Sequence, residues 1–408
     1  MSRIKACLPE GSRISDYLSV GLIARIYPLA RVRAALAATG RESERQRDLP
    51  AHVMVYYSIA LALYMQSSYR EVLRCLLEGV QWLSGCNAPP LVAGNSGISQ
   101  ARTRLGVEPL RHLHDERVGP IAVAGTRGAW WRTWRVVSLD GSTLDIADEQ
   151  ANVERFGRPG ASRGQSAYPK LRFVSVVESG THVLFGTQAA SYATGENVLA
   201  QAVLEAGALR AGMLCLADRG FFGFVMWQRA LATGAHLLWR VKQNLRLPCE
   251  RRLPDGSYLS RIYATDTDRR HQRDGLKVRV IEYTLDGVAG AEPIYRLITS
   301  LLDHEAAPAG ELAALYQQRW EIETAFDELK THLRGARIVL RSKTPELVLQ
   351  EFYGLLMAHF AVRSLMHEAA LKADIDTDCL SFLHAVRVIR RKMPILLAIP
   401  PSAAQSLS

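Results

Sequence analysis

Two aspartates stand at the ends of strongly apolar stretches: Asp140 closes RVVSLD and Asp218 closes MLCLAD. Read as neighbouring strands, such stretches have axes ~4.8 Å apart, so two carboxylates at the same end of the sheet can share a divalent metal. A pair of metal ions ~3.5–4 Å apart gathers four positive charges in one site, and a third carboxylate is needed to neutralise them. The helix expected over 309–333 offers Glu323. Its apolar stripe is Leu315, Ile322, Phe326, Leu329 and Leu333. Turned about 100° from that stripe lie Tyr316, Arg319, Glu323 and Lys330, spaced by three, four and seven residues. Such a flank borders the core, where Glu323 can reach the sheet end while Tyr316, Arg319 and Lys330 face a phosphate backbone. The chemistry this set would perform is metal-assisted phosphoryl transfer.

Each residue also has an ordinary reading. Asp140 is followed by Gly141, and Asp-Gly is a strong hairpin-turn dipeptide. Asp218 before Arg219 and Gly220 can cap a following helix. Glu323 alone can be a solvated carboxylate with Asp327 and Lys330 for company. Asp145 and Asp148 compete with Asp140 for the first position. It is the joint pattern of strand end, strand end and helix flank that favours the chemical reading.

The elements that would position these residues follow from periodicity. Residues 1–128 read as a helical N-terminal domain, interrupted by loop signals at 40–50 and 86–97. Within it, SGISQARTRLG (96–106) places Ile98, Ala101 and Leu105 on one face and leaves Gln100, Arg102, Thr103 and Arg104 mostly outside. That layout suits a recognition helix, with Gln100, Arg102 and Arg104 as DNA-reading candidates, and equally an amphipathic helix with a solvated basic face. A catalytic domain is expected over 129–345. RVVSLDGSTLDI (135–146), LRFVSVVES (171–179) and HVLFGTQAAS (182–191) read as successive strands, then helix and strand alternate through MLCLA (213–217) and HLLWRVK (236–242). Such a series predicts an α/β domain whose mixed sheet is covered by helices. Residues 243–293 turn polar and strand-like and read as a β-rich insertion, with a strand at 295–302 after it. Residues 346–408 form a helical C-terminal region carrying a basic VRVIRRK run at 386–392.

The chain has 408 residues with 50 Lys+Arg against 40 Asp+Glu, a formal charge of +10 that favours a polyanionic partner. Its hydrophobic fraction of 48% is enough for a sizeable core and excludes a mainly disordered protein. The apolar run Val53–Met65 is shorter than the roughly 20 residues a membrane crossing needs, so no membrane role is expected. Cys7, Cys75, Cys86, Cys215, Cys249 and Cys379 include no CxxC pair, which leaves no legible zinc cluster or disulfide framework and suggests a reducing compartment. His112 and His114, two apart, would point ~200° from each other on a helix and cannot chelate together. The basic segment 155–170 lacks the ending of a P-loop, though Arg155, Arg158, Arg163 and Lys170 lie where they can touch DNA. Trp130, Trp131 and Trp134 are expected to pack between domains.

Residues 316–330, YQQRWEIETAFDELK, contain the pattern Y-x2-R-x3-E-x6-K, which resembles the signature of DDE transposases of the insertion-sequence-4 type. LDGST around Asp140 and ADRGF (217–221) around Asp218 are similar to that family's other two acidic motifs. The resemblance covers most of the chain and implies a ribonuclease H-like catalytic domain with a β-rich insertion between the second and third acids. It further implies that Asp140, Asp218 and Glu323 are the catalytic, metal-binding triad and that Tyr316, Arg319 and Lys330 contact phosphates at the transposon end. The implied cofactor is Mg²⁺, with Mn²⁺ expected to substitute. The implied partners are double-stranded DNA, as terminal inverted repeats and target, and a second copy of the chain in a synaptic dimer. The expected location is the bacterial cytoplasm, at the nucleoid. Hairpin-forming members stack a flipped base on a Trp of the insertion, but residues 243–293 hold no Trp, only Tyr258, Tyr263 and Tyr283. A catalytically silent DNA-binding protein and a nuclease that does not join strands are the alternatives.

Overall fold

The protein was analysed as a computed structural model, which describes residues 16–45, 48–83, 92–161, 164–285, 292–317, 319, 321–335 and 338–391. Cys7, Cys86, Arg163 and Lys392 lie outside these residues.

The N-terminal part is helical as the periodicity predicts: α1 (Asp16–Ile26), α2 (Leu29–Ala38), α3 (Ala51–Leu63), α4 (Tyr69–Leu83), α5 (Asn95–Leu105) and α6 (Glu108–Arg117). The apolar run that is too short for a membrane is α3, buried from Tyr57 through Leu63. A helix apolar on all sides belongs inside a fold. Among the described residues no helix is long and apolar enough to cross a membrane.

The catalytic sheet begins with β1 (Trp130–Trp131) and β2 (Trp134–Asp145), followed by α7 (Gln150–Phe156) and the two short strands β3 (Gly160–Ala161) and β4 (Gly164–Gln165). Then come β5 (Lys170–Glu178), β6 (Val183–Ser191), α8 (Glu196–Glu205), β7 (Met213–Ala217), α9 (Phe224–Ala232) and β8 (His236–Arg240). The region expected as an insertion supplies β9 (Arg251–Arg252), β10 (Tyr258–Ile262), α10 (Asp266–His271) and β11 (Leu276–Tyr283), and β12 (Tyr295–Thr299) follows. The main sheet runs β6-β5-β2-β7-β8-β12-β11-β10-β9, with β1 paired to β2. Among the described strands only β2–β7 and β7–β8 pair in parallel. The insertion is therefore not a detached module: its strands add to the edge of the catalytic sheet through β12.

Alternate residues of the central strands feed two cores, as strand geometry demands. Val136, Leu214, Leu216 and Leu238 pack on one face with α11 (Ala309–Gln317), through Leu312, Leu315 and Tyr316. Val137, Leu139, Cys215 and Ala217 belong to the other core, shared with α12 (Glu321–Asp327) and the π-helical turn Glu328–Leu333 through Ile322, Phe326, Leu329 and Leu333. The continuous helix expected over 309–333 is thus corrected. Its two halves pack on opposite faces of the sheet, which one straight helix cannot do, and the chain changes faces between Gln317 and Glu321.

Helix α13 (Pro345–Ala373) then runs through the body of the molecule, and α14 (Phe382–Arg391) follows. Gly354 lets α13 lie against α3: a Cβ there would stand 2.3 Å from the Ser58 carbonyl oxygen. The boundary drawn at residue 346 therefore separates a helix that is itself core to both the N-terminal helices and the sheet. The tryptophans also differ from expectation. Trp131 stacks on Trp134 with ring centroids 5.6 Å apart, and both pack on the α11-side core of the sheet. Only Trp130 reaches the interdomain segment, donating from Nε1 to the Val123 carbonyl at 2.9 Å.

Candidate active site

Strand β2 does not end at Asp140. Asp140 and Gly141 continue the antiparallel ladder, opposite Ser175 and Val174, so the hairpin-turn reading of Asp-Gly is excluded. What ends here is the parallel pairing with β7, whose last rung is Leu139 with Ala217. Asp140 and Asp218 follow that rung and stand side by side where the two strands part. Asp218 does not cap α9, whose N-cap is Gly223; its carbonyl accepts from the Phe221 N–H at 3.1 Å.

The third carboxylate comes from α12, which packs on one face of the sheet against β2. Arg319 lies where the chain changes faces, with Nη1 3.3 Å from Asp140 Oδ2 and Nη2 3.9 Å from Glu323 Oε1. A guanidinium thus joins the strand-borne acid to the helix-borne one. Burial pushes the Asp140 carboxyl up to about 6, aided by the nearby Glu196 and Asp218 carboxylates and only partly countered by Arg319 and a hydrogen bond from the Gly141 N–H. That N–H donates to Asp140 Oδ1 at 2.7 Å. Lys330, on the π-helical turn, donates to Ser142 Oγ at 3.0 Å, two residues along β2 from Asp140. Desolvation lowers its pKa. Such turns recur at functional sites because they displace one side chain from the regular helical face.

The neighbouring carboxylates are otherwise engaged. Asp145 pairs with Lys170 at 2.8 Å and Asp148 pairs with Arg158. Those contacts also tie down two of the four basic residues of segment 155–170, leaving Arg155 exposed.

Two candidates need correction. Tyr316 does not face outward: it is buried, its hydroxyl donates to the Ala217 carbonyl at 3.2 Å, and its phenol pKa is raised by that burial. It props the end of β7 just before Asp218. Arg102 is likewise buried, because α5 packs against the start of α13. Its Nε donates to Gln350 Oε1 at 2.8 Å and its Nη2 to Ser342 Oγ and the Leu347 carbonyl, each at 3.1 Å. Gln100 and Arg104 remain exposed on α5.

Sequence reasoning missed Glu196, the first residue of α8. Its carboxylate group lies over Gly141, where an added Cβ would come within 3.1 Å of the Glu196 Cδ. Gly141 is therefore small because a side chain crosses it, not because the chain turns. Nothing in local spacing marks Glu196; the only signal was its place in the first turn of the helix leaving the third long strand.

A mixed sheet with two aspartates where adjacent parallel strands part, and a glutamate brought to that point by a helix packed on one face, defines a ribonuclease H-like enzyme of phosphoryl transfer. Residues 131–361 match the family described as Transposase DDE domain, and residues 17–115 match Insertion element 4 transposase N-terminal; the chain belongs to the DDE transposase family. It is 28% identical over 401 residues to "Transposase InsG for insertion sequence element IS4" of Escherichia coli (strain K12), covering 97% of this chain and 85% of that one. It is 25% identical over 193 residues to "Putative transposase InsZ" of the same strain, covering 46% of this chain and 60% of the other. A search of solved structures finds "Cryo-EM structure of piggyBac transposase synaptic complex with hairpin DNA (SNHP)" at 12% identity and a TM-score of 0.47, over 96% of this chain and 82% of that one. The activity of the family is DNA cleavage and strand transfer, and its members use divalent metal ions. The donors here fit such an ion: all are oxygens, Asp140 is held half-buried beside the Asp218 and Glu196 carboxylates, and a cation, Arg319, already lies between Asp140 and Glu323.

Proposed function

We propose that this chain binds the terminal inverted repeats of an insertion sequence and cuts and joins DNA at a site built from Asp140, Asp218 and Glu323. The observation that carries the reading is the parallel register of β2 and β7, which sets Asp140 beside Asp218 at the point where Arg319 ties in Glu323. Mg²⁺, with Mn²⁺ as a substitute, would be held by these three carboxylates and would activate the attacking water or 3′-hydroxyl and stabilise the leaving oxygen. The remaining work falls to the chain. Asp140 is fixed by the Gly141 N–H, and Tyr316 holds the β7 end that presents Asp218. Arg319 and Lys330 flank the acids as the cations nearest an incoming phosphate. Gln100 and Arg104, exposed on α5, read the repeat sequence, and Arg155 adds a phosphate contact. Joining two ends to one target calls for two copies in a synaptic complex, assembled on the nucleoid in the cytoplasm.

The test is incubation of the purified chain with Mg²⁺ and DNA carrying its flanking repeats. Cleavage at the repeat ends followed by joining supports the proposal. Nicking without joining leaves a nuclease, and binding without cutting leaves a silent DNA-binding protein.

A further inference from the structure

A second cluster of ligating groups lies away from the active site, in a cavity of about 600 Å³ between the β5–β6 turn, the start of α12 and the segment joining α13 to α14. His182, Glu321 and Asp378 each direct one ligand atom into it, and the three atoms lie within 4.8 Å of one another. His182 is 3% exposed, and its Nε2 makes no hydrogen bond. That nitrogen is nevertheless 3.2 Å from Asp378 Oδ1 and 4.0 Å from Glu321 Oε2. Asp378 Oδ1 lies within hydrogen-bonding range of Nε2 and Glu321 Oε2 lies beyond it, yet Nε2 bonds to neither, so the three atoms stand around a common point.

Three further observations agree. His182 has φ 56°, a conformation uncommon outside glycine that places its ring in the cavity. On its other side, Nδ1 lies 3.3 Å from Glu328 Oε1, and Glu328 is held by Arg363 Nε at 2.7 Å. A carboxylate behind an imidazole is the arrangement that orients a metal-binding histidine and fixes its tautomer. Finally, Glu321, Glu328 and Asp378 against Arg363 leave two negative charges among the cavity's lining residues, the complement of one divalent cation.

We propose that His182, Glu321 and Asp378 bind a divalent transition-metal ion of the zinc type, separate from the metal of the catalytic acids. One imidazole nitrogen and two carboxylate oxygens suit Zn²⁺ better than Mg²⁺, which prefers oxygen alone and keeps its water. In the metal-bound form the ring would keep its one proton on Nδ1 and donate it in a hydrogen bond to Glu328 Oε1, so that Nε2 offers its lone pair to the ion, while Arg363 Nη2, which also touches Nδ1, would bond to Glu328 alone. The ion would fasten the C-terminal segment to the first residue of α12, two residues before Glu323. The inference does not rest on the transposase reading.

The test uses the untagged full-length chain carrying Asp140→Asn, Asp218→Asn and Glu323→Gln, so that the catalytic acids contribute little, titrated calorimetrically with Zn²⁺ and separately with Mg²⁺. One Zn²⁺ per chain, a raised Tm on Zn²⁺ addition and no saturable Mg²⁺ heat are expected. Adding His182→Asn or Asp378→Asn should weaken Zn²⁺ binding about tenfold or more. Asn tolerates the left-handed backbone at position 182. Asp378, with a side chain 44% exposed, provides a variant that leaves the core intact. His332→Asn, whose ring lines the cavity but pairs with Asp327, should leave the affinity unchanged. Absence of stoichiometric Zn²⁺ binding overturns the proposal, as does binding that both variants leave unaltered, which would point to the exposed thiols of Cys249 and Cys379.

Discussion

Asp140→Asn should stabilise the protein in the absence of divalent metal while destroying its activity. Asparagine keeps the size of the side chain and can still accept the Gly141 N–H, but it carries no charge. The folded carboxyl ionises at about 6 against 3.8 for an ordinary aspartate, and its side chain is 23% exposed. That separation corresponds to about 3 kcal/mol at pH 7, and solvent screening reduces the expected gain to about 1–2 kcal/mol. The sign follows from linkage. The folded state holds its proton more tightly than the unfolded chain, so the cost of ionisation is absent below about pH 4, grows between 4 and 6, and is complete above 6. Differential scanning calorimetry in EDTA at fixed scan rate should show Asp140→Asn melting about 1–2 °C above the parent at pH 7.5, and no higher at pH 4. Mg²⁺ should raise the parent's Tm and close the gap. A variant less stable than the parent at pH 7.5, or equally advantaged at pH 4, refutes the account of a carboxylate strained by burial.

The basic flank should behave as a phosphate contact: Arg319→Ala and Lys330→Ala each weaken binding to repeat DNA and lower the salt slope by about one. Equal slopes in filter binding or anisotropy would leave these side chains without DNA contact. Gln100→Ala and Arg104→Ala should reduce discrimination between repeat ends and scrambled DNA, whereas Arg102→Ala should lower stability by about 3 kcal/mol, as expected for a buried charge whose partners are left unpaired. Chemical denaturation and competition binding separate the two effects. Tyr316→Phe should cost about 0.5–1.5 kcal/mol through the lost bond to the Ala217 carbonyl and leave the salt slope of DNA binding unchanged.

The order of strands and helices was legible because apolar runs such as MLCLA and LRFVSVVE are short, buried strands bounded by turn residues. The two aspartates could be placed for the same reason: each ends a run whose burial requires a neighbour. What could not be read was tertiary. Arg102 sits at a position a helical wheel puts outside, but α13 and the segment just before it, some 240–250 residues later, bring Gln350 and Ser342 onto that face. The signature spacing of Tyr316, Arg319 and Glu323 suggests one helical flank, yet the chain changes sheet faces there, which turns the tyrosine inward and the arginine onto Asp140. Gly141 looked like turn chemistry because the pressure on it, from Glu196, comes from a helix more than fifty residues away. His182 stood in no motif at all; its partners Glu321 and Asp378 become neighbours only in the fold.

The central claim is that Asp140, Asp218 and Glu323, far apart in sequence, act as one metal site. Its most direct measurement is Mg²⁺-dependent cleavage of repeat-end DNA by Asp140→Asn, Asp218→Asn and Glu323→Gln, beside Asp145→Asn and Asp148→Asn, with folding checked by circular dichroism. The account predicts that each of the first three loses cleavage while staying folded and still binding DNA, and that both controls still cut, since Asp145 and Asp148 are paired with Lys170 and Arg158. Normal cleavage by the three triad variants, or loss of cleavage in a control while Asp140→Asn still cuts, would contradict it.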